Sequence, residues 1–246
     1  MLVQRGHKTD PGNIGALVTE YFNRLSLNDD RSAQTVYQQI AELDAASVWL
    51  PLAKSWQNIK NGRVAAAQEQ ARFLQQNFAD PQSQWLSGIL FAATEDHDKA
   101  REVFLKVDPR YLDREQWLDI LNGGEGDVCA VGLTLMRTGD ESLGHELISY
   151  AANYWEQTAP LYMQHADRWP SFACHAYLGD IEKSLAALET ALNHQHVLWY
   201  WVYISIDPRL RLLQEDPRFQ AMDQRARAEL TRQRENLARM NAQADT

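Results

Sequence analysis

Long apolar runs are missing from this chain of 246 residues. No stretch approaches the 18 or so apolar residues that a helix needs to cross a bilayer. The first residues, Met1 to Lys8, also lack the apolar centre of a signal peptide. A cytoplasmic location is therefore expected. The periplasm stays open if the chain is a piece of a longer, membrane-anchored protein. Cysteine is scarce, with Cys129 and Cys174 alone and neither in a CxxC pair. Two buried thiols are the plain expectation, and a single long-range disulfide in an oxidising compartment is the alternative. Twelve Gly and eight Pro are too few for a collagen-like or linker-like chain. Val, Ile and Thr make up only about an eighth of the residues, against about a third for Ala, Leu and Gln. Unbranched side chains lose little rotamer freedom in a helix, so this bias predicts an all-α fold.

Positive charge is also short. The net charge is −9, which excludes non-specific nucleic-acid binding through the whole surface. From Arg209 onward, however, eight arginines face six acids.

The usual chemical motifs are absent as well. There is no GxSxG elbow, no SxxK pair, no HExxH and no EF-hand spacing. The loop Asn122-Gly-Gly-Glu-Gly-Asp127 has no following Lys-Ser/Thr and no preceding strand, so it does not read as a phosphate loop. His194 and His196 lie two apart, which points them to different sides of a helix. His175 is better read as a packed imidazole, and Glu95 to Asp98 as a solvated turn. No catalytic residue, metal or cofactor is expected.

What is present is internal repetition. Five turns are each followed by a helix with a small residue and then an apolar residue four positions on. The pairs are Ala33 with Tyr37, Ala67 with Ala71, Ala100 with Phe104, Gly144 with Ile148, and Ser184 with Leu188. The small residues recur at intervals of 34, 33, 44 and 40. An amphipathic segment precedes each turn. A small residue lets two antiparallel helices approach closely, and stacked hairpins then bury faces that one hairpin leaves wet. In the second unit Leu52, Trp56 and Ile59 are taken as the core phase, in preference to Pro51, Lys54, Ser55 and Asn58. An extra helix between Tyr111 and Leu121 explains the interval of 44. The stretch Ala151 to Arg168 explains the interval of 40, with a break expected at Ala159-Pro160.

In this pattern the chain resembles the tetratricopeptide repeat family, most closely from Trp85 through Ala100 and Phe104 to Asp108-Pro109, and from Val131 to Ala151. The ending Asp207-Pro208-Arg209 to Asp216-Pro217-Arg218-Phe219 is similar to that of bacterial regulators in which a winged-helix, cyclase or kinase domain precedes a repeat array. The resemblance implies a right-handed α-α superhelix of about five hairpins with a C-terminal cap. It also implies a regulatory or sensing role in signalling. Residues 1–14 are expected to be flexible, 15–206 to form the array, 207–241 to cap it and 242–246 to be disordered. The stripe Phe219, Met222, Ala226, Leu230, Gln233, Leu237, Met240 suits a capping helix, with Asp216 at its N-cap and Pro217 at its first position.

Eight tryptophans are the excess that bears on function. At the family's spacing Trp85 and Trp169 point toward the concave groove, with Arg137 and Tyr177 on the same side. Aromatics and arginine are the stuff of binding hot spots. A protein or peptide partner gripped by Trp85, Arg137, Trp169 and Tyr177 is therefore expected, with a homodimer as a further option. Core packing suits the same tryptophans. A second function is open to the aromatic-rich stretch between Trp155 and Tyr203, which could enclose a small molecule.

Overall fold

The computed structural model describes residues 13–123, 127–162, 171–193 and 201–244. Among them every regular element is a helix. Ten helices form five hairpins. They are α1 (Ile14–Ser26) with α2 (Asp30–Leu43), α3 (Trp49–Lys60) with α4 (Val64–Asn77), and α5 (Pro81–Ala93) with α6 (His97–Val107). After two 3₁₀ turns, Pro109–Leu112 and Arg114–Gln116, comes the short α7 (Trp117–Gly123). Then follow α8 (Val128–Arg137) with α9 (Glu141–Tyr162), and α10 (Ser171–Tyr177) with α11 (Ile181–Asn193). The remaining pieces are α12 (Trp201–Ile206), a 3₁₀ turn Pro208–Leu210, α13 (Arg211–Gln214) and the long α14 (Pro217–Ala244).

The five hairpins turn in the same way. Each has one residue in the left-handed region, at Asn28, Gly62, Glu95, Gly139 and Gly179. The next backbone N–H reaches back to a carbonyl five residues earlier, as in Asp29 to Arg24, Arg63 to Asn58, Asp96 to Phe91, Asp140 to Leu135 and Asp180 to His175. This is the Schellman closure, which satisfies carbonyls that a helix end leaves open. At three of the turns the residue after the left-handed one is an aspartate whose carboxylate caps the next helix: Asp29 accepts from Ser32, Asp96 from Lys99 and Asp180 from Lys183.

Five residues after each left-handed position lies a buried small residue: Ala33, Ala67, Ala100, Gly144 or Ser184. There the two helices touch. A Cβ on Gly132 would come within 2.5 Å of Ile148 Cγ1 and 2.9 Å of the Gly144 carbonyl oxygen. A Cβ on Gly88 would lie 2.6 Å from the Phe104 ring. Neighbouring hairpins pack through α1–α3, α4–α5, α6–α8 and α9–α10.

Several expectations change in detail. In α3 Leu52, Trp56 and Ile59 are buried as the chosen phase requires, yet Pro51, Ser55 and Asn58 are buried too. This helix is covered on two faces, and Ser55 Oγ satisfies itself on the Pro51 carbonyl at 2.9 Å. Helix α9 does not break at Ala159-Pro160 but runs on to Tyr162. A proline's fixed φ is helical, and this one lies in the last turn, so little helix is left to disrupt. Helix α14 reaches Ala244, inside the stretch expected to be disordered. No helix among the described residues is long and apolar enough to cross a membrane. Cys129 and Cys174 are buried but not free: a disulfide joins α8 to α10, with Cα atoms 5.2 Å apart.

Between the hairpins and the last helix the chain makes its longest-range contacts. Among the described residues helix α12 belongs to no hairpin. It packs on α1 and α3, and the 3₁₀ turn after it packs on α5 and α10. Helix α14 covers α11, as a cap should, with Arg218 on Glu182 and Arg225 on Glu189. It also reaches the first hairpin, where the Arg227 guanidinium donates to the Ser26 carbonyl and Arg234 pairs with Asp29 at 3.3 Å. The last helix thus joins the last hairpin to the first.

Candidate functional site

Four side chains were expected to face one groove. Arg137, at the C-terminus of α8, is exposed. Tyr177, the last residue of α10, is 7% exposed, and its hydroxyl has no hydrogen-bond partner. The Arg209 guanidinium covers its ring, 5.7 Å from the centroid. Trp85 lies in the first turns of α5, half-buried against Phe104 of its own hairpin, with ring centroids 6.3 Å apart. Its indole N–H is also buried without a partner. Trp169 lies outside the described residues. Tyr177 lies under Arg209, and the charges of Arg137 and Arg209 both act on His97, whereas Trp85 sits toward the other end of α5, about 12 Å along the axis from Ala93.

The centre of this region is a buried polar cluster that sequence reasoning missed. Asp207 is completely buried and Arg209's side chain is 3% exposed. Asp207 Oδ1 accepts from the Arg209 backbone N–H at 2.9 Å and from Nε at 3.0 Å, and Oδ2 accepts from Nη2 at 2.6 Å. On the far side of the guanidinium, Nη1 faces Asp127 Oδ2 at 3.8 Å, too long for a hydrogen bond, and has no other partner. Asp127 is the N-cap of α8, its Oδ1 accepting from Ala130 N at 3.1 Å. One guanidinium therefore lies between two buried carboxylates and a tyrosine face.

The electrostatics follow from burial. Burial pushes the Asp127 carboxyl up to about 6, although Arg209 and the cap hydrogen bond pull the other way. Burial also raises the Tyr177 hydroxyl well above its usual range. Burial works against the Arg209 charge, but Asp207, Tyr177 and Asp127 more than restore it. At the edge of the cluster His97, the first residue of α6, is held below the usual imidazole range by burial and by the positive charges of Arg137 and Arg209. His97 Nδ1 is a further buried atom without a partner.

The Asp-Pro steps were read as turn and cap signals. In the structure the triplet Asp-Pro-Arg closes the same hook three times, at 108–110, 207–209 and 216–218, with the arginine N–H and Nε on one carboxylate oxygen and a terminal nitrogen on the other. Arg110 and Arg218 keep about half of their side-chain surface in solvent, and only Arg209 is swallowed. The recurrence was visible in the residues, but which copy would be buried was not.

Other singled-out residues are structural. His175 is 4% exposed and its Nε2 meets Glu156 Oε1 at 2.7 Å. Glu95 forms the exposed left-handed turn position and Asp96 caps α6. Trp201 stacks on Phe219, with its Nε1 donating to Asp223 at 2.7 Å, while Tyr203 lies 4.7 Å from the rings of both Phe22 and Trp56. Trp199, Tyr200 and Trp169 fall outside the described residues. Among the described residues no group of three or more His, Cys, Asp or Glu is placed to hold a metal ion.

The class these features define is an all-α protein of linked helical hairpins with a buried arginine–carboxylate centre. No protein-family model matches the chain, and neither curated proteins nor solved structures show a significant match to it.

Proposed function

We propose that this chain is a tetratricopeptide-like interaction module that acts by binding a protein or peptide segment rather than by catalysis, as a regulatory or sensing part of a bacterial signalling protein. The observation that carries the proposal is the recurrence of one hairpin design. The left-handed turn residues fall at 28, 62, 95, 139 and 179, each five before a buried small residue. Each hairpin rests on its neighbour, the arrangement that in repeat proteins exposes a continuous face for partners. That face is the one made by the first helices α1, α3, α5, α8 and α10, which carry Trp85, Arg137 and Tyr177, and the repeat pattern of the sequence assigns Trp169 to the same side.

The test uses the intact chain in cells, with a photo-crosslinking residue replacing Arg137 on the first-helix face or Arg72 on the exposed side of α4. A defined partner, identified by mass spectrometry, is expected at 137 and not at 72. Trp85→Ala combined with Trp169→Ala is expected to abolish that crosslink while helical circular dichroism is unchanged. Equal capture at both positions, or capture indifferent to the two tryptophans, overturns the proposal.

A further inference from the structure

The first-helix face is already occupied, by the chain itself. Trp201–Leu210 packs on the first helices α1, α3, α5 and α10 and reaches the N-cap residue of α8. Tyr203 wedges between Phe22 of α1 and Trp56 of α3, the turn Pro208–Leu210 rests on α5 and α10, and Arg209 faces Asp127 at the start of α8. The segment lies across the hairpins as a bound helical peptide would, with Tyr203 near one end and Arg209 near the other, and nine of its ten residues are helical or in the 3₁₀ turn. Its fit is incomplete. Arg209 Nη1 and the Tyr177 hydroxyl are both buried without an acceptor, and a buried donor left unpaired costs stability. A segment taking its place with one further acceptor would satisfy the Tyr177 hydroxyl.

Building on the interaction-module reading, we propose that Trp201–Arg211 is an intramolecular ligand, and that the partner is a protein segment that displaces it by presenting the same anchors. Those anchors are an aromatic ring and, six residues later, an arginine preceded two positions earlier by a carboxylate, with one further acceptor for Tyr177. Self-occupancy makes the resting chain a weak binder, because a competitor's apparent affinity is reduced by the fraction of molecules with the face open.

The probe is a fluorescein-labelled peptide of the chain's own sequence 201–214, added to the full-length protein. Tyr203→Ala combined with Arg209→Ala, which loosens the resident segment, is expected to raise affinity for this peptide about tenfold or more over the wild type. A peptide carrying the same two substitutions is expected not to bind. Equal binding of the peptide by wild type and variant, or binding of the substituted peptide, overturns the proposal. Should the variant fail to fold, hydrogen exchange on the wild-type chain decides. Amides of 201–210 are expected to exchange faster on addition of saturating peptide while those of α5 and α8 do not, and exchange unaltered by peptide overturns self-occupancy. Crosslinks at residue 137 that persist alongside such a result leave the interaction module standing and remove only the resident ligand.

Discussion

At the scale of single residues, Arg209 shows how much a short motif depends on its surroundings. Its hook with Asp207 is made in the same way as those of Arg110 and Arg218, but its second face is turned to Asp127 and Tyr177 instead of water. Asp127 bears the cost. Free aspartate loses its proton near 3.8, whereas here the proton is held to about pH 6. Between these values the folded chain binds more protons than the unfolded one, so this group's contribution to stability falls as pH rises and stays low above the window. Asp127→Asn keeps an acceptor for the α8 cap and removes the charge. Relative to this variant the wild type is expected to lose stability from about pH 4 to 6, by about 3 kcal/mol in all. Urea melts across that range measure it, and parallel curves for the two proteins would show that Arg209 offsets the burial completely. The sequence makes the hook legible at this scale but not the company it keeps. Asp127 lies in a glycine-rich loop and Arg209 in a tail counted as basic, and only tertiary packing brings the two together.

At the scale of elements, legibility was greatest where a local rule acts alone. Turn glycines, capping aspartates and small residues five positions on are all sequence-local, and the hairpins appear where they mark them. The rule weakens where neighbours interfere. Ser55 and Asn58 belong to the phase set aside for the core, yet both are buried, Ser55 with its hydroxyl on the Pro51 carbonyl. Pro160 looked like a breaker, yet it falls where the helix is already ending. The α8–α9 contact offers a sharp check, because Gly132 faces backbone as well as the Ile148 side chain. Gly132→Ala is expected to destabilise by about 2–3 kcal/mol. Gly15→Ala, whose Cβ would meet only Asn13 Oδ1 at an ordinary 3.4 Å, is expected to be neutral or mildly stabilising. Thermal melts of both variants give the comparison, and a Gly132→Ala melt at the wild-type temperature would mean that the two helices can separate freely.

At the scale of the whole molecule, two features fasten what the hairpin pattern alone would leave loosely strung. The Cys129–Cys174 bond spans 45 residues and ties the fourth hairpin to the fifth next to the Arg209 cluster. A loop of that size corresponds to about 4 kcal/mol of unfolded-chain entropy. Cys129→Ala with Cys174→Ala, or full reduction, is expected to lower the urea midpoint accordingly, and an unshifted midpoint would show that packing alone holds the two hairpins together. With two cysteines the disulfide was one of two readings the sequence left open, and composition does not decide between them; the course of the tail was not legible, since it joins residues far apart along the chain.

The second feature is the bridge from α14 to the first hairpin. In a linear stack an outermost unit has one neighbour and unravels first. Here the opening pair of helices is clasped from both sides, by α3 and by Tyr203, Arg227 and Arg234. Unzipping has no cheap place to begin at that end, so the first pair holds on like an interior one, and cutting the clasp at Arg227 would hand it back the frailty of a frayed rope.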